Sequence, residues 1–518
     1  CKVRHCKQCR TCQKRLVYFI NGALKMKDIP IQVLPGGSGV INTNEHDITI
    51  GNIDAASGAS SSLSIIAGLS NTITIGAVGS ANPLASFSIP SDGASSVSLS
   101  NVTTKGAISI LSPATFSSSS MLTSNGGTIS LGSAITSGTV TADGDIDFAV
   151  NSTISGTFKA GKSISFTDSL ILGGTSKLTA SDGITIGAQI SSNGSPNYDL
   201  TLDAGSSPIS IGGGISNIHS FTIKNAGSVS LFDIGTIGGP ISITSPTVTK
   251  APGTINSQGG DITFSGTILP RDNDVGGSLV IYAVGAINLQ GLGDSTHYFG
   301  DISLTGSAIT LGSNINASGT IAIANTSLLM IPTGTMTVGG FTQTGTGPVS
   351  LATSIVSTGL ISFEGALTII GATTLQGSKG ISIPSSITPN SVDCNLTLNA
   401  GSNPMTIKSL GSTAMPFGAL SITASMLDLG GDVYSSSSIK IDSPITISTS
   451  TKITSADAIG LTLTKPVTVA AGSLAPTLTL DATSAGAVDI KSLGSSTAPL
   501  GAVSLIGNHV YLSGDIAY

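Results

Sequence analysis

The 518-residue sequence predicts an all-β fold: a right-handed parallel β-helix, a solenoid with about 20 residues per turn. Three observations carry that expectation. A short apolar phrase returns at nearly constant spacing, apolar and polar residues alternate within it, and the composition combines 66 glycines with no Trp and 9% charged residues.

The phrase reads Gly-x-Ile-x-Ile, with Leu or Phe in the last place. It occurs at Ile241-Ser-Ile243, Ile262-Thr-Phe264, Leu279-Val-Ile281, Ile302-Ser-Leu304, Ile321-Ala-Ile323, Ile361-Ser-Phe363, Ile381-Ser-Ile383, Leu420-Ser-Ile422 and Ile439-Lys-Ile441. Successive first positions are 21, 17, 23, 19, 40, 20, 39 and 19 residues apart. The double steps hold Phe341-Thr-Gln343, and Met405-Thr-Ile407 or Leu396-Thr-Leu398, in roughly the same phase, so one unit is stacked repeatedly.

Alternation sends the branched side chains, Ile321 and Ile381 among them, to one face of a short strand and Ser or Thr to the other. A strand this short cannot bury its apolar face alone, whereas parallel stacking closes a continuous core. Glycines at strand starts, as in Gly126-Gly127, Gly239-Pro240 and Gly259-Gly260, suit the corners between strands. Helical periodicity is absent apart from a short segment near Leu16 to Met26. A mean hydropathy of +0.38 comes from many short strands, since Ser, Thr or Gly interrupts every run before it reaches membrane-spanning length.

Two regions are expected. Residues 1–39 form a basic, Cys-containing N-terminal segment, either non-native or the remnant of a cap, and 40–518 form the repeat shaft. Stacking at ~4.8 Å per strand gives the shaft roughly 24 turns and a length on the order of 110 Å. The first 27 residues hold 8 of the 21 basic residues and no acid, leaving 13 basic and 27 acidic residues in the other 491, a balance that argues against nucleic acid as partner. A longer repeat overlies the short one: Ile407 to Ile422 and Ile490 to Leu505 match at an offset of 83 residues, with a fainter echo from Ile75 to Ile89. Internal amplification of a four-turn block accounts for it.

Leu200-Thr-Leu-Asp-Ala-Gly205, Gly259-Gly-Asp-Ile-Thr-Phe264 and Gly418-Ala-Leu-Ser-Ile422, set in a Ser/Thr/Gly-rich background, resemble the filamentous-haemagglutinin-like exoproteins and related large repeat adhesins of bacteria. The likeness runs from about Val40 to the end. It implies a β-helical shaft, secretion to the bacterial cell surface and contact with other cells, through a glycan or protein on a host or neighbouring cell. Parts of that family's pattern are not seen here, among them a recognisable N-terminal secretion-guiding domain with its Asn-Pro motifs, and Arg-Gly-Asp. Because the sequence starts on Cys1 and stops within a repeat at Gly514-Asp-Ile-Ala-Tyr518, it is expected to be a fragment of something longer. The outward Ser/Thr faces also suit lateral self-association, and no membrane span is expected in this segment.

Candidate chemistry is sparse, and neither an enzymatic activity nor a cofactor is expected. Cys1, Cys6, Cys9 and Cys12 are grouped near His5 and basic residues, which favours thiolates and metal binding, while a disulfide-linked or processed end is the alternative. Asp143, Asp145 and Asp147 share one strand face, as in a cation site, or are simply outward acids facing water. His46, His219, His297 and His509 lie far apart, and Asn44-Glu-His-Asp47 reads as a polar turn. Two stretches break the regular spacing and are the candidates for recognition: the loop with Asp272 and Asp274, and Gly291 to Phe299 with His297, Tyr298 and Phe299. Aromatic capping of an irregular turn is the alternative for the second stretch. A β-helical polysaccharide lyase or glycoside hydrolase is the alternative function, and it requires paired carboxylates on neighbouring turns.

Overall fold

The computed structural model describes residues 16–517, apart from 29, 36, 195–196, 252, 313–314 and 332–334. The protein is a parallel β-solenoid with turns of roughly 21 residues and almost no helix. It comprises two compact units, Cys1–Thr249 with Asn256–Gly260, and Lys250–Ile255 with Asp261–Tyr518.

In the first unit, described pairing starts at Leu16–Phe19, which lies parallel to Ser38–Asn42, followed by Leu24–Met26 against Ile48–Ala55. Strands thus occupy the segment expected to be helical, and stacking reaches upstream of Val40. Gly22, at φ 147°, interrupts the only stretch with helical spacing. Further along, one inward position forms an unbroken ladder: Phe87, Ile108, Ile129, Ile146, Ile164, Ile184, Ile209 and Val229 are paired in that order. Each is at most 1% exposed. In the parallel ladder two residues on, Phe148 and Phe166 stack with ring centroids 4.2 Å apart and planes within 4°, and Phe158 meets Phe148 edge-on at 5.9 Å. Identical side chains on adjacent rungs must take the same rotamer about one strand spacing apart, which is the offset-stacked geometry aromatic rings favour.

In the second unit some turns carry three short strands, as in Ile361–Phe363, Leu367–Ile369 and Thr373–Gly377, and in others two sides run together, as in Ile381–Pro389. One ladder runs Leu279, Ile302, Ile321, Phe341, Ile361, Ile381, Met405, Leu427, Ile445 and Val467. A second runs Leu396, Leu420, Ile439, Leu461 and Val488. The single recurring phrase seen in the sequence therefore belongs to more than one strand series: Met405 fills the step after Ile381, whereas Leu396 and Leu420 lie on a different side of the turn. Alternation is the same on every side, so spacing alone does not separate them.

The core also holds amides. Asn325 and Gln343, both fully buried, sit one turn apart with Gln343 Nε2 donating to Asn325 Oδ1 at 2.8 Å. Gln343 Oε1 accepts the backbone N–H groups of Glu364 and Gly365 at 3.0 and 2.9 Å, and Asn325 Nδ2 donates to the Ser327 carbonyl at 2.6 Å. Every polar group of this pair thus has a partner, as burial demands.

Candidate functional site

Several acids on this fold hydrogen-bond to the following turn. Asp47 Oδ1 accepts Thr72 N–H at 2.8 Å, Asp261 Oδ1 accepts Ala286 N–H at 2.7 Å, and Asp301 Oδ1 accepts Thr320 N–H at 2.7 Å. Of the three acids Asp143, Asp145 and Asp147, the last two do the same, while Asp143 is exposed. Asp145 Oδ1 accepts Ser163 Oγ–H at 2.6 Å and its N–H at 3.1 Å, which holds the carboxyl below the usual range, and Asp147 Oδ1 accepts Ser165 Oγ–H at 2.6 Å. Among the described residues no three of His, Cys, Asp or Glu gather to hold a metal ion. Cys1, Cys6, Cys9 and Cys12 lie outside the described residues, and Cys394, in the second unit, is buried and in no disulfide.

The histidines are not all solitary. His219 Nδ1 lies 2.7 Å from Asp199 Oδ1, which also accepts Ser220 Oγ–H at 2.6 Å. Their separations of 20 and 21 residues correspond to one turn, the signal by which the sequence contains this contact. Since Ser220 donates to the carboxylate and not to the imidazole, the trio lacks the nucleophile-to-base bond of a catalytic triad. His46 turns back on the carbonyl oxygens of Asn44 and Thr43 at 3.0 and 3.2 Å, with Asn44 and Glu45 both at positive φ, as a tight polar turn requires.

The two stretches that break the spacing come together in the second unit. Asp272–Asp274 is a single turn of 3-10 helix, and Asp272 Oδ1 meets His297 Nε2 at 3.1 Å. The backbones are joined as well: Gly276 N–H donates to the Tyr298 carbonyl at 2.8 Å and Gly300 N–H to the Gly277 carbonyl at 2.9 Å. Asp274 Oδ2 accepts the Ala251 N–H at 3.2 Å. Within the second loop, Asp294 Oδ1 accepts His297 N–H at 2.6 Å, Thr296 N–H at 2.7 Å and Thr296 Oγ–H at 2.8 Å. These bonds, led by the one from His297 N–H, lower the Asp294 carboxyl from the usual 3.8 to about 2. Its contribution to loop order is therefore complete above the unfolded value and fades as pH falls through about 2. Protection of the Thr296 and His297 amides, measured as exchange relative to unprotected amides at the same pH, is expected to persist at pH 4 and to fall towards pH 2; protection lost already above pH 4 would contradict the assigned bonds.

Phe299 does not belong to the outward surface. It is fully buried and bridges Ala317 in the next turn, so the exposed aromatic character narrows to His297 and Tyr298. The loop that holds it is also not irregular. Leu292-Gly293, five residues and Phe299-Gly300 recur as Leu410-Gly411, five residues and Phe417-Gly418, and as Leu493-Gly494, five residues and Leu500-Gly501. The three glycines share φ of 67°, 67° and 69°. Their backbone closures match too, from Asp294 to His297 at 2.8 Å, Ser412 to Met415 at 3.0 Å and Ser495 to Ala498 at 3.2 Å. In each, the apolar residues at both ends are at most 1% exposed. A Cβ on Gly293 would sit 2.7 Å from the Asn316 carbonyl oxygen, and one on Gly494 2.0 Å from that of Ala517, so the module requires glycine on steric as well as conformational grounds. Val78-Gly79 to Leu84 in the first unit is a version one residue shorter, with Gly79 at φ 68°.

These features define a parallel β-solenoid repeat protein with one corner loop chemically unlike its siblings. No family model, no curated protein and no solved structure matches the chain. No helix among the described residues is long and apolar enough to cross a membrane.

Proposed function

We propose that the chain is the structural and adhesive shaft of a secreted or surface-displayed bacterial protein that mediates contact with other cells, in the manner of the filamentous-haemagglutinin-like exoproteins. The observation that carries this reading is the unbroken inward ladder in each unit, paired with outward faces rich in Ser and Thr. Such a stack resists local opening, because every interior strand is bonded on both sides, and it presents corner loops on a rigid support. A polysaccharide lyase or hydrolase needs an acid and a second carboxylate converging on one bond, for which Asp272 and Asp294 beside His297 are the test case, whereas acids such as Asp145, Asp147 and Asp301 are taken up in bonds to the next turn.

Beads coated with the purified full chain are expected to adhere to bacterial or epithelial cells above albumin-coated beads, with no release of reducing ends or unsaturated sugars from acidic polysaccharides. Absence of adherence would remove the adhesive role, and depolymerisation would replace it with the enzymatic one.

A further inference from the structure

We infer that the Asp294–Tyr298 loop, the Asp272–Asp274 turn bonded to it and the adjoining exposed strip Val280–Tyr282–Val284 form a binding site for an extended, uncharged polysaccharide. The inference deepens the adhesive reading and rests on it for its setting, but its own support is an internal comparison. Three loops of the second unit share backbone, glycine and buried ends. Two of them fill the five variable places with small or apolar residues, Ser412-Thr-Ala-Met-Pro416 and Ser495-Ser-Thr-Ala-Pro499. The third has Asp294-Ser-Thr-His-Tyr298, replacing Ser by Asp, Met or Ala by His, and Pro by Tyr. The fold does not need these side chains, since the same chain builds the same loop twice without them.

A second observation lies beside the loop. The strand Leu279–Ala283 follows closely on the Asp272–Asp274 turn and pairs with Ile302–Gly306, which in turn follows the Asp294–Tyr298 loop, through Val280 to Ser303 and Tyr282 to Thr305. Outward positions of this chain are typically Ser or Thr. Here Val280, Tyr282 and Val284 are instead 41%, 40% and 56% exposed, and Tyr298 is 38% exposed.

The chemistry of the patch selects its ligand. Exposed tyrosine rings offer apolar faces with a polar tip, the surface on which the C–H faces of sugar rings pack. The carboxylates of Asp272 and Asp294 with the His297 imidazole accept and donate to hydroxyls through charge-assisted bonds, and the Asp272 side chain is 93% exposed for that purpose. Three aspartates, Asp272, Asp274 and Asp294, repel polyanions. Val280 to Val284 spans about 13 Å at the usual strand rise, the reach of a chain and not of one ring.

Affinity electrophoresis of the full chain through gels containing dextran, mannan or galactan, with polygalacturonate as the acidic comparison, tests the assignment. Retardation by at least one neutral polymer is expected. The triple variant Asp294→Ser, His297→Met, Tyr298→Pro, which installs the residues of the 412–416 loop at those places, should weaken it about ten-fold or more with an unchanged melting temperature, as should Tyr282→Ser. No neutral polymer retarding the wild type, retardation by polygalacturonate alone, or equal retardation of the loop-converted chain would each overturn the site. Bead adherence measured on the same variant separates the two proposals: adherence that survives loss of the site leaves the shaft reading intact.

Discussion

Replacing Ile321 by Asp is expected to destabilise the second unit by about 4 kcal/mol or more, enough to unfold it or to lower its melting temperature by many degrees. Ile321 is fully buried in the ladder between Ile302 and Phe341, with Ile323 as its inward neighbour on the same strand. A carboxylate there has apolar side chains on the rungs before and after it. It must either remain charged without a partner or take up a proton at a cost comparable to its shift in pKa. Ala322, one residue on, points to solvent, so Ala322→Asp should change stability by about 0.5 kcal/mol or less. Ile381→Asp, on the same ladder, should behave like Ile321→Asp. Chemical denaturation of the three variants reads the period-2 pattern directly, and equal effects at 321 and 322 would contradict the inward assignment.

The architecture was legible because its signal is local. An apolar residue at i and i+2 around Ser or Thr already specifies a half-buried strand, and its return at one turn's spacing specifies the stack. What lies one turn away was harder to see. The His219–Asp199 contact, the acid-to-amide bonds and the Asn325–Gln343 pair all join residues about 20 apart, and nothing in the intervening sequence marks them. Up to three strands per turn with one shared pattern hid which strand stacks on which, so Leu396 and Met405 were interchangeable until the register was known.

The corner loop shows the opposite failure, in which chemistry masked geometry. Tyr298 and Asp294 stand where the sibling loops have Pro and Ser, so Gly291 to Phe299 looked like an insertion although Leu292, Gly293, Phe299 and Gly300 retain the module's fixed places. Phe299 was grouped with its aromatic neighbours by adjacency, yet the module assigns its position to the core, as Phe417 shows. The surface chemistry that makes this loop a candidate site is the same chemistry that concealed its relation to the others.

Gln343→Ala should cost about 3 kcal/mol, more than its volume alone explains. The amide is fully buried and serves several neighbours at once: Asn325 Oδ1 and the carbonyls of Gly345 and Gly347 receive its N–H groups, and the backbone N–H groups of Glu364 and Gly365 end on its Oε1. Removing it leaves those groups without partners in a place where each unmet hydrogen bond costs about 1–3 kcal/mol, unless water fills the space vacated by the side chain. Asn325 also bonds the Ser327 carbonyl, so Asn325→Ala disturbs part of the same network and the double variant should cost less than the two singles added, by about 1 kcal/mol. Additive losses would mean that the two amides act separately. The coupling matters for the fold because interior ladders of Ile, Leu and Phe accept one another at many positions and do little to fix which rung stacks on which. The N–H groups of both amides have local carbonyl partners, but Asn325 Oδ1 and Gln343 Oε1 are satisfied only from a neighbouring turn, so a slip strands these oxygens in the apolar core and register is specified where packing alone is permissive.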